Sequence, residues 1–256
     1  MKPTLPDRNF DDLASRFART IYATPRGHIR LAALAQDFAD LGIPLAQASV
    51  LDIGGGQGQF ALQLARQGAV VHLCDISAEM LRLAQDQFAA AGLPLNSQQC
   101  ALQQVADYFP DTYDIVLNHA VLEWLEDPMA ALPVLAQQVK PGGWLSLMFY
   151  NRDGHIWRQL MNGATDDPLG ANSKLREEGN APQHPLHADE IEQRLAKLGF
   201  QVERWRGIRC VYDHMPQKIR DRVGEDELTR TDLAYGIQEP FRRLGRYVHF
   251  LARKKS

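Results

Sequence analysis

The segment Ser49–Asp75, SVLDIGGGQGQFALQLARQGAVVHLCD, holds two short apolar runs separated by a glycine loop and a stretch of helical spacing. The runs Ser49–Ile53 and Val70–Cys74 are bounded by turn residues and are too short for helices, so they read as buried strands. Phe60–Arg66 reads as the helix between them, giving the strand, loop, helix, strand order of a parallel crossover. The loop Asp52–Gly58 is glycine-rich because a backbone that turns sharply there, and lets a ligand come close, has no room for a Cβ. Its register is informative. A dinucleotide fingerprint needs glycines in GxGxxG spacing, yet from Gly54 the last position is Gln59 and from Gly56 it is Ala61. A nicotinamide cofactor is therefore disfavoured, and the loop alone is equally compatible with a tight structural turn.

Working outward, the alternation continues. Strands are predicted at Ser97–Ala101, Tyr113–Asn118 and Trp144–Tyr150, with helices near Ala78–Ala91, Gln103–Tyr108 and Pro128–Val139 and a turn at Pro141–Gly143. Five β/α units predict an α/β fold with a doubly wound, mostly parallel sheet. A helix at Ala188–Leu198, a strand at Phe200–Tyr212, a polar helical segment at Pro216–Tyr235 and a last strand at Arg246–Arg253 would complete seven strands. The short return before that last strand predicts antiparallel pairing at the edge. Upstream, Phe10, Leu13, Ala14, Phe17 and Ile21 recur at helical spacing, and a second helix is expected over Gly27–Leu41. Asn151–His187 is rich in Gly, Asn, Asp and Pro, with one short helix at His155–Met161, and reads as a lid or as a surface excursion. The expected organisation is one domain over 1–256, with a helical cap (1–47), a cofactor-binding core (48–150), an insertion (151–187) and the C-terminal part of the sheet (188–256).

Hydrophobic residues make up 45% and charged residues 23% of the 256, the balance of a soluble globular protein. Asp7, Asp11 and Asp12 open the chain with no apolar stretch before a cleavage site, so neither a secretory signal nor a membrane segment is expected. Cys74, Cys100 and Cys210 lack metal-ligand spacing and read as reduced core thiols, which implies the cytoplasm. A net charge of −3 gives no general reason to expect nucleic acid, although Arg242, Arg243, Arg246, Arg253, Lys254 and Lys255 make the C-terminal tail locally basic.

Asp75 follows the second strand, where an acid can accept both ribose hydroxyls of a nucleoside; the alternative is a helix cap, a role open equally to Ser77. His119 follows the fourth strand, facing a ligand at the switch point or simply packed. An acid, a spacer and the alternating Gly54, Gly56 and Gly58, followed by "VLEWLEDP" and "VKPGGWLSLMF", resemble the class I methyltransferases, whose cofactor is S-adenosyl-L-methionine. No Asn-Pro-Pro-Tyr or Asp-Pro-Pro-Tyr loop, no cysteine nucleophile and no metal constellation is found. A carboxylate acceptor fits that absence, since with an ordinary pKa of about 4 it needs no general base.

Longer strings narrow the resemblance. "DRNFDDLASRFARTIYATPRGHIR" (7–30), "HAVLEWLEDP" (119–128), "LSLMFYN" (145–151) and "QEPFRRLGRYVHFLARK" (238–254) are similar to the tRNA 5-carboxymethoxyuridine methyltransferase family. The likeness runs nearly end to end and departs most across Gly163–Pro185, where Lys174 and Arg176 are diluted by Glu177 and Glu178. It implies methyl esterification of a wobble uridine and a tRNA anticodon stem-loop as partner. It also implies cofactor contacts by Arg30, Gly54, Gly55, Asp75, Leu102, Gln103 and His119, beside Gly56 and Gly58 of the loop. Arg30 would pair with the methionyl carboxylate, Asp52 would brace the loop and reach the methionyl amine, and Leu102 and Gln103 would line the adenine. Tyr150, Asn151, Arg209 and Arg246 are expected near the acceptor carboxylate, and the tail at phosphates, with the wobble base drawn from its stack. Without the resemblance, these arginines read as surface charges and the tail as a solvated terminus. Two rival readings are a small-molecule carboxyl or hydroxyl methyltransferase and a module that binds the cofactor without turnover. The sequence leaves the oligomeric state open.

Overall fold

The computed structural model describes residues 24–167 and 184–256, together with Asp7, Leu169 and Pro182. The helix expected near 10–21 and the insertion residues Lys174, Arg176, Glu177 and Glu178 lie outside the described residues. In chain order the elements are α1 (Pro25–Asp40), β1 (Ser49–Ile53), α2 (Gln59–Ala65), β2 (Val70–Asp75), α3 (Ala78–Ala90), β3 (Asn96–Gln99) and α4 (Val105–Tyr108). They continue with β4 (Tyr113–His119), α5 (Pro128–Gln138), β5 (Val139–Tyr150), α6 (Arg152–Met161), α7 (Ala188–Lys197), β6 (Phe200–Ile208), α8 (Gln217–Val223), α9 (Glu225–Tyr235) and β7 (Tyr247–Lys254).

The seven strands form one sheet in the order β3-β2-β1-β4-β5-β7-β6. Strands β1 to β5 pair in parallel, and β7 is antiparallel to both β5 and β6. The antiparallel pairing thus lies at the expected end of an open α/β sheet; β6 is outermost and β7 is slotted inside it. Strand order reverses beside β1, which pairs with β2 on one side and β4 on the other, so a crevice opens at the C-terminal ends of β1 and β4.

Alternation along the strands feeds two cores. Leu51 and Ile53 join the cluster packed under Leu132 and Leu135 of α5 and Ile191 and Leu195 of α7. Val50 points the other way, into the cluster with Leu34 and Phe38 of α1 and Phe60 and Leu64 of α2. A buried ionic clip fixes α1 to the sheet: Arg206 Nε donates to Asp37 Oδ1 at 2.8 Å, and His249 Nδ1 lies 2.7 Å from Asp37 Oδ2.

Several boundaries differ from expectation, four of them for a visible physical reason. β6 stops at Ile208 instead of Tyr212 because Arg209 takes a left-handed φ of 61°, which no strand continues. The segment expected as one helix over Pro216–Tyr235 is split into α8 and α9 by Gly224, at φ 85°. β5 begins at Val139, so Pro141–Gly143 lies inside an irregular strand, where a Cβ on Gly143 would sit 2.9 Å from the Asp114 carbonyl. α6 starts at Arg152, three residues early, because the Asn151 side chain caps it by accepting from Asp153 N.

Candidate active site

The glycine loop closes on β2: the amides of Gly54 and Gly55 donate to the Cys74 carbonyl at 2.8 and 3.0 Å. Gly54 has φ 70°, and a Cβ there would meet Val121 Cγ2 at 2.5 Å. Gly56, at φ 55°, has only Met80 Sδ near such a Cβ, at 4.0 Å, so its face opens into the crevice. Gly58 behaves differently from expectation. It is the N-cap of α2, packed toward Leu73 and Phe88, and does not border the cavity.

Asp75 ends β2 and anchors this loop. Its Oδ2 accepts from Gly56 N at 2.8 Å and its Oδ1 from Ser77 N at 2.9 Å. The Ser77 hydroxyl is the one that caps α3, accepting from Met80 N at 3.1 Å. The capping role is therefore filled by Ser77, and Asp75 stands on the wall of the cavity.

That cavity brings together Arg30 from α1, Asp52 and Gly54–Gly56 from the β1 loop, Asp75 and Met80, Leu102, His119 from the end of β4, and Tyr247 from β7. Leu34, Phe60, Ile76, Leu125 and Met148 supply apolar wall. Asp52 is buried, and burial, aided by the charge of Asp75, pushes its carboxyl up to about 8. Arg30 is also buried, with its guanidinium 4.6 Å from the centroid of the Tyr247 ring. His119 Nε2 lies 2.8 Å from Ser146 Oγ, which is 2.9 Å from His249 Nε2 and so joins the clip at Asp37. Burial, then His249 and Arg30, hold the His119 imidazole well below its ordinary pKa and therefore neutral.

Leu102 and Gln103 are placed differently. Only Leu102 of that pair is on the cavity wall; the Gln103 amide donates to Asp7 Oδ2 at 2.9 Å, while Asp7 Oδ1 accepts from Glu126 N at 2.8 Å. Asp7 itself borders the cavity, a role that nothing in its local sequence signals.

Of the four expected acceptor residues, three converge and one does not. The Asn151 amide is consumed by the carbonyls of Arg243 and Gly245, at 2.8 and 2.7 Å, so it serves the backbone. Tyr150, Arg209 and Arg246 meet around Asp213: Arg209 Nη2 and Arg246 Nη1 lie 3.2 and 3.3 Å from Asp213 Oδ2, and the Arg246 guanidinium lies 5.5 Å from the Tyr150 ring centroid. Arg158 of α6 joins them, donating to Tyr150 Oη at 3.1 Å. Arg158, Asp213 and Tyr247 escaped sequence reasoning because each is ordinary in its local context.

The basic tail is no free arm. Arg242 and Arg243 pair with Glu239 and flank Trp205, with guanidinium carbons 4.4 and 4.6 Å from its ring centroid. Arg243 also pairs with Asp189. Lys254 Nζ donates to the carbonyls of Ala136 and Val139, at 2.7 and 2.8 Å, closing the end of α5. These cations are bound in the fold because the tail is strand β7 and its approach. Among the described residues no group of His, Cys, Asp or Glu could hold a metal ion, and no helix is long and apolar enough to cross a membrane.

Residues 22–204 match the model of a methyltransferase domain family. The tRNA 5-carboxymethoxyuridine methyltransferase of Escherichia coli (strain K12) is 38% identical over 256 residues, covering 98% of this chain and 97% of that protein. The ubiquinone biosynthesis O-methyltransferase of Photorhabdus laumondii is 35% identical over 115 residues, 45% of this chain and 48% of its own. In structure, the magnesium protoporphyrin IX methyltransferase of Synechocystis PCC 6803 with bound SAH matches with a TM-score of 0.66 over 96% of both chains, at 18% identity, a likeness of fold. The shorter match covers less than half of this chain, whereas the longer one takes in Arg30 and Tyr247 on the cavity wall. With the fold, the glycine loop and the full-length likeness in agreement, the chain belongs to the tRNA 5-carboxymethoxyuridine methyltransferase family.

Proposed function

We propose that this chain transfers the methyl group of S-adenosyl-L-methionine to the carboxylate of 5-carboxymethoxyuridine at the wobble position of the tRNA anticodon stem-loop, giving the methyl ester. The observation that carries the reading is likeness over 98% of the chain to a protein of that name. The cavity suits the cofactor: Gly56 leaves open a space that a side chain would enter, with an acid, Asp75, beside it on the wall. When bound, the cofactor supplies an electrophilic methyl on a sulfonium whose thioether is an excellent leaving group.

The chain's own residues then bind and orient. Asp75 would accept the ribose hydroxyls, Leu102 and Ile76 would flank the adenine, and Arg30 would pair with the methionyl carboxylate. Asp52, ionised by an adjacent ammonium, would hold the amine. His119, neutral and tied to Ser146, fixes the floor without adding charge next to a cation. The acceptor carboxylate is already ionised at neutral pH, so no residue has to remove a proton. Holding its oxygen in line and excluding water supplies the rate. The same reading puts the enzyme in the cytoplasm, in keeping with three free cysteines.

Incubation with methyl-labelled cofactor and tRNA bearing the unesterified uridine tests this. Label should enter tRNA and be released by mild alkali, as an ester requires. Label confined to a small-molecule extract would favour the small-molecule rival, and retained cofactor with no transfer would favour the binding module.

A further inference from the structure

The clip that holds α1 to the sheet continues, as a chain of hydrogen bonds, to the cavity. His119, Met148 and His249 lie level across β4, β5 and β7, and Ser146, two residues before Met148, points to the same face of the sheet. On that face Asp37 Oδ2 meets His249 Nδ1 at 2.7 Å, His249 Nε2 meets Ser146 Oγ at 2.9 Å, and Ser146 Oγ meets His119 Nε2 at 2.8 Å. Asp37, Ser146 and His249 are wholly buried, whereas His119 borders the cofactor cavity. Polar groups at this depth are costly unless each is paired, so the proton positions along the chain are tightly constrained.

The direction of the chain follows from its buried end. The Asp37 carboxylate accepts from Arg206 and offers no proton, so the hydrogen between it and His249 sits on Nδ1. Asp37 and Asp40 already balance Arg204 and Arg206, and a second proton on His249 would add an uncompensated buried charge. His249 Nε2 is therefore an acceptor and takes the single proton of the Ser146 hydroxyl. Ser146 Oγ is left to accept, so the proton of neutral His119 sits on Nε2. Nδ1, the one polar atom of the His119 ring that Ser146 does not hold, carries a bare lone pair. Two neighbours place that ring in the cavity: the charge of Arg30 acts on it, and the Phe60 ring lies 5.6 Å away. This is the end at which Arg30 would pair with the methionyl carboxylate, and the donor next to that carboxylate is the ammonium.

We propose that Asp37, His249 and Ser146 are positioning residues that fix His119 as the Nε2–H tautomer, so that its Nδ1 accepts a hydrogen bond from the methionyl ammonium of the cofactor. The inference rests on the cofactor placement of the proposed function and not on its acceptor. An ammonium has three N–H donors, and Asp52 and His119 would take two of them, one acceptor charged and the other neutral. The opposite tautomer would turn an N–H toward the cation. The same chain ties the tautomer to α1, which carries Arg30.

Nitrogen-15 NMR of histidine-labelled protein, with the His119 signals identified from His119→Gln, tests the tautomer directly. Wild type should show His119 protonated at Nε2, with the bare Nδ1 signal moving upfield when S-adenosylhomocysteine binds. Ser146→Ala leaves the Asp37–Arg206 pair in place and cuts the chain. It should give mixed His119 tautomers and weaken S-adenosylhomocysteine by about tenfold, the scale of a lost charged hydrogen bond. Binding of methylthioadenosine, which lacks the methionyl group, should be unchanged and reports an intact fold. Ser146→Thr keeps the hydroxyl and should restore both tautomer and affinity. A proton on His119 Nδ1 in wild type overturns the proposal, and that spectrum decides even if Ser146→Ala fails to fold. Equal loss for the two ligands, or no loss, in folded Ser146→Ala also overturns it. Failure of the cofactor placement is seen separately, as wild type that does not bind S-adenosylhomocysteine.

Discussion

Asp52 shows how one residue couples loop, charge and ligand. Its carboxyl is buried under the glycine loop, and a Cβ on Gly55 would sit 2.7 Å from its Cγ. An unfolded aspartate ionises near pH 4, whereas this one keeps its proton up to about 8. Between those values the folded state binds more protons, so its contribution favours folding at low pH and is lost as pH rises through that window. Cofactor-free wild type should therefore lose more stability between pH 5 and 8 than Asp52→Asn, as read from urea midpoints. Glu123, raised by burial to about 7, titrates in both proteins and cancels in the difference. Identical slopes would show that Asp52 is ionised in the free protein. At Asp75 the prediction concerns affinity: Asp75→Ala should weaken S-adenosylhomocysteine binding by roughly ten- to a hundredfold, the range for lost charge-assisted hydrogen bonds. An unchanged titration curve would remove Asp75 from the site.

Among the elements, α1 carries Arg30 into the cavity, and what keeps α1 in place is the clip at Asp37. Asp37 meets Arg206 and His249 and lies 3.4 Å from Arg204 Nε, all on the sheet face. Removing it leaves Arg206, itself almost wholly buried, without its carboxylate. Asp37→Ala should cost about 3–5 kcal/mol of stability, the scale for breaking a buried pair from one side. A denaturation midpoint within error of wild type would mean that α1 is held without the Asp37 clip, by its apolar face and the Asp40–Arg204 pair. Legibility also varied by element. β1, α2 and β2 were readable to within a residue because apolar runs and glycines there are set by local sterics. The end of β6 was not, since only the fold forces Arg209 into a left-handed conformation. Asn151 looked like a ligand because its cap and carbonyl partners come from α6 and from Arg243 and Gly245, distant in sequence. The partner of the Gln103 side chain, Asp7, is likewise out of reach of local pattern, 96 residues away.

For the whole molecule, the cavity is where distant parts of the chain meet. Asp7 and Arg30 come from the N-terminal part, Asp52 and Asp75 from the first β/α unit, His119 from β4 and Tyr247 from the last strand. The glycine loop and Asp75 made the cofactor class legible, because a nucleoside imposes its own geometry on a switch point. The acceptor was legible only through resemblance; Arg158, Arg209 and Arg246, which meet Tyr150 or Tyr247, come from α6, the end of β6 and the start of β7 and share no local pattern. The central claim is that the methyl goes to the carboxylate of a wobble uridine. Mass spectrometry of nucleosides from tRNA of cells lacking this protein tests it most directly. The account predicts loss of the methyl ester and accumulation of unesterified 5-carboxymethoxyuridine, restored by the wild-type chain and not by Asp75→Ala. An unchanged ester content in the deletion strain would contradict it.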